Sequence, residues 1–240
     1  MEHEGDGDSA GYSQEYLNTP LDDNETFLKK ENFLPMAEED YLSQKIYIAG
    51  TDWAISKKES ANRTSFTCGG KDVNNIVHVT GQAVGRWDSQ EIIDELFDFY
   101  DRWKPVAWYV ETGQIWLALK PLIRKEMQQR DTWINFVEVA SITDKASRAR
   151  IFQKRHKAGG MRFDKQADWY AGYEAELLTF TGVSDAKADD QFDSTALMMR
   201  GFEEYHDLDE EDLVTEDEWL EERESRRARQ EYHGRTRAGY

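Results

Sequence analysis

A single cysteine, Cys68, stands in the 240 residues. No internal disulfide can form from it and a cysteine-based zinc site is excluded; a reducing cytoplasm fits such a chain. No apolar run approaches the length of a membrane-spanning helix, and the N-terminal stretch lacks the charged-then-apolar pattern of a secretory signal. The five histidines are scattered without a His-x-x-x-His pair, which leaves a histidine-based zinc site with little support, and no Ser-His-Asp spacing points to a nucleophilic hydrolase. Hydrophobic residues make up 39% of the chain and the mean hydropathy is -0.83, which is the profile of an ordinary core diluted by polar ends.

What is present in excess is negative charge, a net -18. That sum argues against a nucleic-acid partner until its distribution is seen. Residues 1–42 carry 12 acids and 2 bases, and residues 202–240 carry 14 acids and 6 bases. The segment between them is neutral, with 22 of each sign. Inside it, residues 120–165 hold 12 Lys or Arg against 5 Asp or Glu, a basic band between acidic ends. The stretch Lys145 to Lys157 has six bases and no acid: Lys145, Arg148, Arg150, Lys154, Arg155 and Lys157. A solvated helix face is the plain reading of such a run. The alternative is contact with DNA phosphates, which is strong, salt-dependent and blind to sequence.

Residue patterning predicts the elements in order. Residues 1–14 are too polar to order themselves, and Phe27 to Met36 reads as an extended arm with apolar anchors. Lys45 to Ala54 is an almost continuous apolar run, as expected of a central strand buried on both faces. Strands are expected over 62–68 and 76–84, with Gly69-Gly70 and Asn74-Asn75 at the turn between them. A helix over 88–103, capped by Asp88 or Ser89, precedes a strand at 106–110. The helix over 114–129 takes Leu117, Leu119, Leu122 and Ile123 as its inner residues. A strand at 133–139, the basic helix 145–157, a short strand at 161–163 and helices over 167–180 and 190–205 complete the series. Three strands in a hairpin meander followed by alternating strands and helices give an α/β fold: a ribonuclease-H-like mixed sheet, antiparallel strands plus parallel ones, with helices on both faces. The expected organisation is an acidic, partly disordered arm over 1–42, this domain over 43–206, and a charged tail over 207–240 that is helical or disordered.

On that order, three acidic points fall where chemistry can be done. Asp52 ends the first strand, Glu111 ends the strand expected beside it, and Asp189, Asp190 and Asp193 open the last core helix. Phosphodiester hydrolysis by two metal ions needs carboxylates clustered about 4 Å across, and hard ions such as Mg²⁺ take oxygen ligands. Each point also has an ordinary reading, because an Asp after a buried strand is often a turn residue and acids at a helix N-terminus are favoured by its dipole.

The residues that carry these points resemble the nuclease domain of the large subunit of viral DNA-packaging terminases. The similarity runs through Ala49-Gly-Thr-Asp-Trp-Ala54, Tyr109-Val-Glu-Thr-Gly113, Asp144-Lys-Ala-Ser-Arg-Ala149 with Gly159-Gly160 downstream, and Leu177-Leu-Thr-Phe180 followed by Asp189-Asp-Gln-Phe-Asp-Ser-Thr-Ala-Leu197. Glu15 to Pro20 is similar to the segment that links motor and nuclease in that family. The resemblance implies a DNA endonuclease dependent on two Mg²⁺ or Mn²⁺ ions, in which Asp52 bridges the metals, Glu111 binds one of them, and Asp190 is the third ligand with Asp193 and Asp189 as contenders. It also implies double-stranded DNA, a terminase ATPase motor, a small terminase subunit and a portal protein as partners, in the cytoplasm of an infected host and without a membrane. Ala188 stands where the family often has His, and Ser194 where it usually has Ala. No Walker A loop is present, so ATP hydrolysis through a P-loop is not expected of this chain. Lys145 is the base expected nearest the scissile phosphate. Two other readings share the pattern: a junction resolvase or RNA–DNA hybrid nuclease with the same metal site, and an interaction module whose acidic tail docks on a portal partner.

Overall fold

The computed structural model describes residues 27–55, 57, 62–140, 145–180 and 189–205, and of residues 145–148 the backbone alone. Six strands form one sheet in the order β5-β4-β1-β2-β3-β6. They are β1 (Ile46–Asp52), β2 (Thr64–Lys71), β3 (Val77–Gly85), β4 (Ala107–Thr112), β5 (Phe136–Ala140) and β6 (Met161–Phe163). The helices are α1 (Glu38–Leu42), α2 (Ser89–Trp103), α3 (Gln114–Gln129), α4 (Lys145–Lys157), α5 (Tyr170–Thr179) and α6 (Asp190–Glu204). β1, β2 and β3 form the antiparallel meander, while β4 and β5 run parallel to β1 and β6 runs parallel to β3. The sheet is mixed and helices flank both faces, the ribonuclease-H-like arrangement that the element order predicts.

The alternation of β1 and β4 sorts the core into two clusters. Ile48, Ala107 and Tyr109 point to the face covered by α4, α5 and α6. Ala49, Trp108 and Val110 point to the face covered by α2 and α3. α2 begins with a capping box: Gln90 and Glu91 donate their backbone N–H groups to the Asp88 carboxylate, and Asp88 N–H donates to Glu91. In the segment before β1, Leu28 and Phe33 are buried and Lys30–Asn32 form a 3-10 turn.

Two expectations change. Gly69 and Gly70 continue β2 instead of ending it, and the turn is made by Asp72 to Asn75, where Asn75 takes a φ of 60°. The glycines are needed for space: a Cβ on Gly70 would lie 2.8 Å from the Lys45 side chain, and one on Gly69 would lie 2.9 Å from the Met198 sulfur. In α3 the buried row is Trp116, Leu119, Ile123 and Met127, while Leu117 and Leu122 are exposed.

α6 lies directly on β1. A Cβ on Gly50 would come within 2.3 Å of the Ser194 carbonyl oxygen, and one on Gly201 within 2.7 Å of Ile48 and Tyr109. Since Gly201 sits over Ile48 and Ser194 over Gly50, α6 runs antiparallel to β1. Its first turn therefore comes to the end of β1 where Asp52 stands.

One buried group sets a pH dependence. His156 is packed among Phe33, Phe152 and Phe163, and burial pushes its imidazole down to about 4. The unfolded chain takes up this proton near pH 6.5, so the contribution to stability is complete above that pH and is lost as the pH falls towards 4. The expected loss by pH 4 is about 3 kcal/mol. Urea midpoints at pH 7 and pH 4.5 check it, because the decline shrinks in His156→Phe; an equal decline in both proteins contradicts the assignment.

Candidate metal centre

Asp52 and Glu111 each follow directly on the last paired residues of two adjacent parallel strands, Thr51 and Val110. By strand alternation both side chains belong to the α6 face, as do Gly50 and Tyr109 two residues before them. Thr51 and Trp108 on the other face confirm the parity, joined by a 2.5 Å bond from Trp108 Nε1 to Thr51 Oγ1. Asp52 and Glu111 are both half-buried, at the rim of the sheet.

The floor of this rim is a buried hydroxyl network. Ser65, the cross-strand partner of Asp52, lies 2.8 Å hydroxyl to hydroxyl from Ser194 of α6. Ser194 is also 2.7 Å from Thr67 Oγ1. Thr67 donates to Gln82 Oε1 at 2.6 Å, and Gln82 Nε2 donates to Ser65 Oγ at 2.8 Å. Thr195 extends the network to the Tyr173 hydroxyl at 2.9 Å. Buried hydroxyls left unpaired cost about 1–3 kcal/mol each, so this closed set of partners fixes the rotation of α6 about its axis. Ser194, where the resembling family usually has Ala, is a full member of it.

That rotation separates the acids of the first turn. Asp190 is 1% exposed, and its Oδ2 accepts from Arg63 Nε at 3.0 Å and from the Arg63 backbone at 3.3 Å. Arg63 also pairs with Glu176 of α5. Glu176 in turn accepts from the Gln191 backbone at 2.7 Å and from Gln191 Nε2 at 2.6 Å. Asp190 thus faces the β2 side. Asp193 is half-buried and lies about 60° around the helix from Asp190. Its row runs on to Glu204, whose carboxylate meets the Tyr109 hydroxyl of β4; burial first and then this neighbour push that phenol up to about 12. Asp193 thus belongs to the side of α6 that faces β4 and Glu111. Asp189 is the N-cap residue, without a side-chain capping bond.

The structure therefore brings Asp52, Glu111 and the first turn of α6 to one end of one sheet face. It does not close them into a ligand cage: among the described residues, the trio of potential ligand atoms lying within 4.8 Å of one another is Asp40, Asp72 and His78, elsewhere in the fold. No sequence motif marks Arg63, Glu176 or Ser65. Arg63 precedes β2 without any motif around it, and only the tertiary pairing reveals it.

The basic band is partly consumed by local partners. Lys120 pairs with Glu138, and Arg130 with Asp94 and Glu126. Arg155 donates to the Asn75 carbonyl at 2.8 Å and lies 3.4 Å from Glu203. Lys154 and Lys157 are exposed on α4, and Arg150 is half-buried. The side chains of Lys145 and Arg148, the segment 15–20 and the tail 207–240 lie outside what is described. No helix among the described residues is long and apolar enough to cross a membrane.

No protein-family model and no curated protein sequence matches the chain. Solved structures do. The large terminase of the thermophilic bacteriophage D6E superposes with a TM-score of 0.51 at 11% identity, over 72% of this chain and 44% of that one. The large terminase of bacteriophage HK97 gives 0.54 at 8% identity, over 74% and 43%. The large terminase nuclease of the thermophilic phage G20c gives 0.50 at 13% identity, over 68% and 84%, and the same value in its cobalt-bound structure. The chain thus spans under half the length of the two whole large terminases and most of the isolated nuclease. The fold is the one these nuclease domains have.

Proposed function

We propose that this chain is a metal-dependent endonuclease that cuts double-stranded DNA with little sequence preference, and that it serves viral genome packaging as the nuclease part of a terminase large subunit. One observation carries the reading above the others: Asp52 and Glu111 end adjacent parallel strands on the very face that α6 covers with its acidic first turn. The G20c nuclease, similar in fold, has a structure with bound cobalt, which supports metal dependence for a nuclease of this fold.

The donor set fits hard divalent ions. Asp52, Glu111 and Asp193 are all carboxylates, and all are half-buried, so solvent and substrate reach them. Asp52, Glu111 and Asp193 would hold the ions, with Asp193 in place of Asp190. The reason is that Asp193 is half-buried on the side of α6 that faces β4 and Glu111, whereas Asp190 is buried on the β2 side. Asp190 becomes a positioning residue, tying the first turn of α6 to β2 while Ser194 ties the second. When bound, two Mg²⁺ or Mn²⁺ ions supply activation of the attacking water and charge neutralisation at the leaving oxygen. The chain's share is to hold its three carboxylates rigidly from two strands and a helix. Lys154 and Lys157, with Lys145 and Arg148 on the first turns of the same helix, make phosphate contacts that give affinity without base readout. The motor, the small terminase subunit and the portal are the partners this reading implies.

Supercoiled plasmid incubated with the chain and Mn²⁺ or Mg²⁺ is expected to be nicked and linearised, and EDTA to stop it. Faster cutting of branched duplex or of RNA–DNA hybrid than of plain duplex would replace the packaging role with a resolvase or hybrid nuclease. No cutting of any of the three substrates overturns the proposal.

A further inference from the structure

We propose that His78 and Asp40, with Asp72 as the outer partner that orients the His78 ring, form a separate site for a first-row divalent ion of the Zn²⁺ class, pinning the segment before β1 to the β2–β3 turn. Asp72 follows β2, whose last residue Lys71 pairs with Ile46 at the start of β1. The six residue steps of β1 from Ile46 to Asp52 put this site about 20 Å from the end where the nuclease carboxylates stand.

The chemistry of the three groups asks for a cation. His78 is 0% exposed and Asp72 is 7% exposed. Asp72 Oδ1 accepts the backbone N–H groups of Asn74 and Ile76, both at 2.9 Å. Its Oδ2 lies 2.9 Å from His78 Nε2. A carboxylate there is an acceptor, so the ring proton sits on Nε2. That leaves Nδ1 with its lone pair, buried and without a hydrogen-bond partner. It faces another acceptor, Asp40 Oδ1, across 4.0 Å. Two acceptors opposed at that distance are too far apart to share a proton in a hydrogen bond. Tetrahedral Zn²⁺ with bonds of about 2.0–2.1 Å sets its ligand atoms about 3.3 Å apart, so a shift of under about 1 Å by the half-buried Asp40 side chain brings both atoms to bonding distance.

The arrangement also has the outer partner that metal-binding histidines use. A ligating imidazole donates its other N–H to a carboxylate, which fixes the tautomer. Asp72 does this for His78. An imidazole nitrogen beside a carboxylate favours Zn²⁺ or Co²⁺ over Mg²⁺, which prefers oxygen alone. The nearby Lys45 ammonium is tied to the Asp40 and Ser43 carbonyls and to Ser43 Oγ, at the end of α1. Asp40 keeps its second oxygen on the Ala37 N–H at 2.7 Å, so Oδ1 is the one turned to His78. Asp40 is half-buried, which leaves an open side for water ligands.

The test is made in the full chain carrying Asp52→Asn and Glu111→Gln, so that the proposed nuclease centre does not contribute. Equilibrium dialysis against micromolar Zn²⁺ with elemental analysis is expected to show one ion per chain, and Co²⁺ to give a visible absorption band. Adding Asp40→Asn, whose amide oxygen still accepts from Ala37, is expected to lower the affinity at least tenfold, and adding His78→Gln to lower it further. Zn²⁺ is expected to raise the melting temperature of the parent and not of the Asp40→Asn protein. No uptake by the parent, or equal uptake by the parent and both variants, overturns the site and leaves a bridging water as the occupant of the gap. Because the readout is binding in a background without Asp52 and Glu111, its failure is distinct from failure of the nuclease reading.

Discussion

Asp52→Asn and Glu111→Gln each lower plasmid cleavage in Mn²⁺ by at least ~1,000-fold, a barrier increase of about 4 kcal/mol, while leaving the melting temperature within a few degrees of the parent. The amides keep the size of the side chains but not the charge that a hard cation requires. Both positions sit at strand ends, half-buried at the rim of the sheet, so the core does not depend on them. Asp193→Asn is expected to fall in the same range and Asp190→Asn to retain more activity, because Asp193 lies on the Glu111 side of α6 and Asp190 is turned to Arg63. Cleavage by the Asp52 and Glu111 variants within tenfold of the parent contradicts the assignment.

Arg63→Met is the substitution expected to cost most stability, about 3–5 kcal/mol. It strands two carboxylates in the interior: the side chains of Asp190 and Glu176 are 2% and 8% exposed and both pair with this guanidinium. Each has other partners, yet each loses the cation that offsets its desolvation. Denaturant unfolding measures the effect. Removing one stranded charge returns part of it, so Arg63→Met with Asp190→Asn is expected to be more stable than Arg63→Met alone. Additive losses in the double variant would mean that Arg63 and Asp190 do not act as a pair. Arg63→Met also loosens the first turn of α6, and a loss of cleavage exceeding that of Asp190→Asn is expected from it.

Much of the frame is legible along the chain because it rests on local patterning. β1 reads as a central strand from its almost continuous apolar run, and Asp88 or Ser89 as a cap announces α2. The order of Asp52, Glu111 and the acidic turn at Asp190 follows from element order alone. What escapes is set by tertiary contact. Leu117 and Leu122 look as apolar as Leu119 and Ile123, and only the fit of Trp116 and Met127 against the sheet decides which stripe of α3 is buried. Gly69-Gly70 resembles a turn, yet those residues are small because Lys45, Tyr47 and Met198 occupy the space above them. The choice between Asp190 and Asp193 depends on the rotation of α6, which Ser65, Thr67 and Ser194 fix through side chains distant in sequence. Arg63 has no motif, and its role exists only where β2, α5 and α6 meet.

Anomalous scattering from a crystal of this chain soaked in Mn²⁺ tests the central claim most directly. A manganese peak within bonding distance of Asp52 and Glu111, with Asp193 and not Asp190 as the contribution of α6, is the predicted result. A map with no peak between β1 and β4, in crystals that take up manganese elsewhere, would contradict the account.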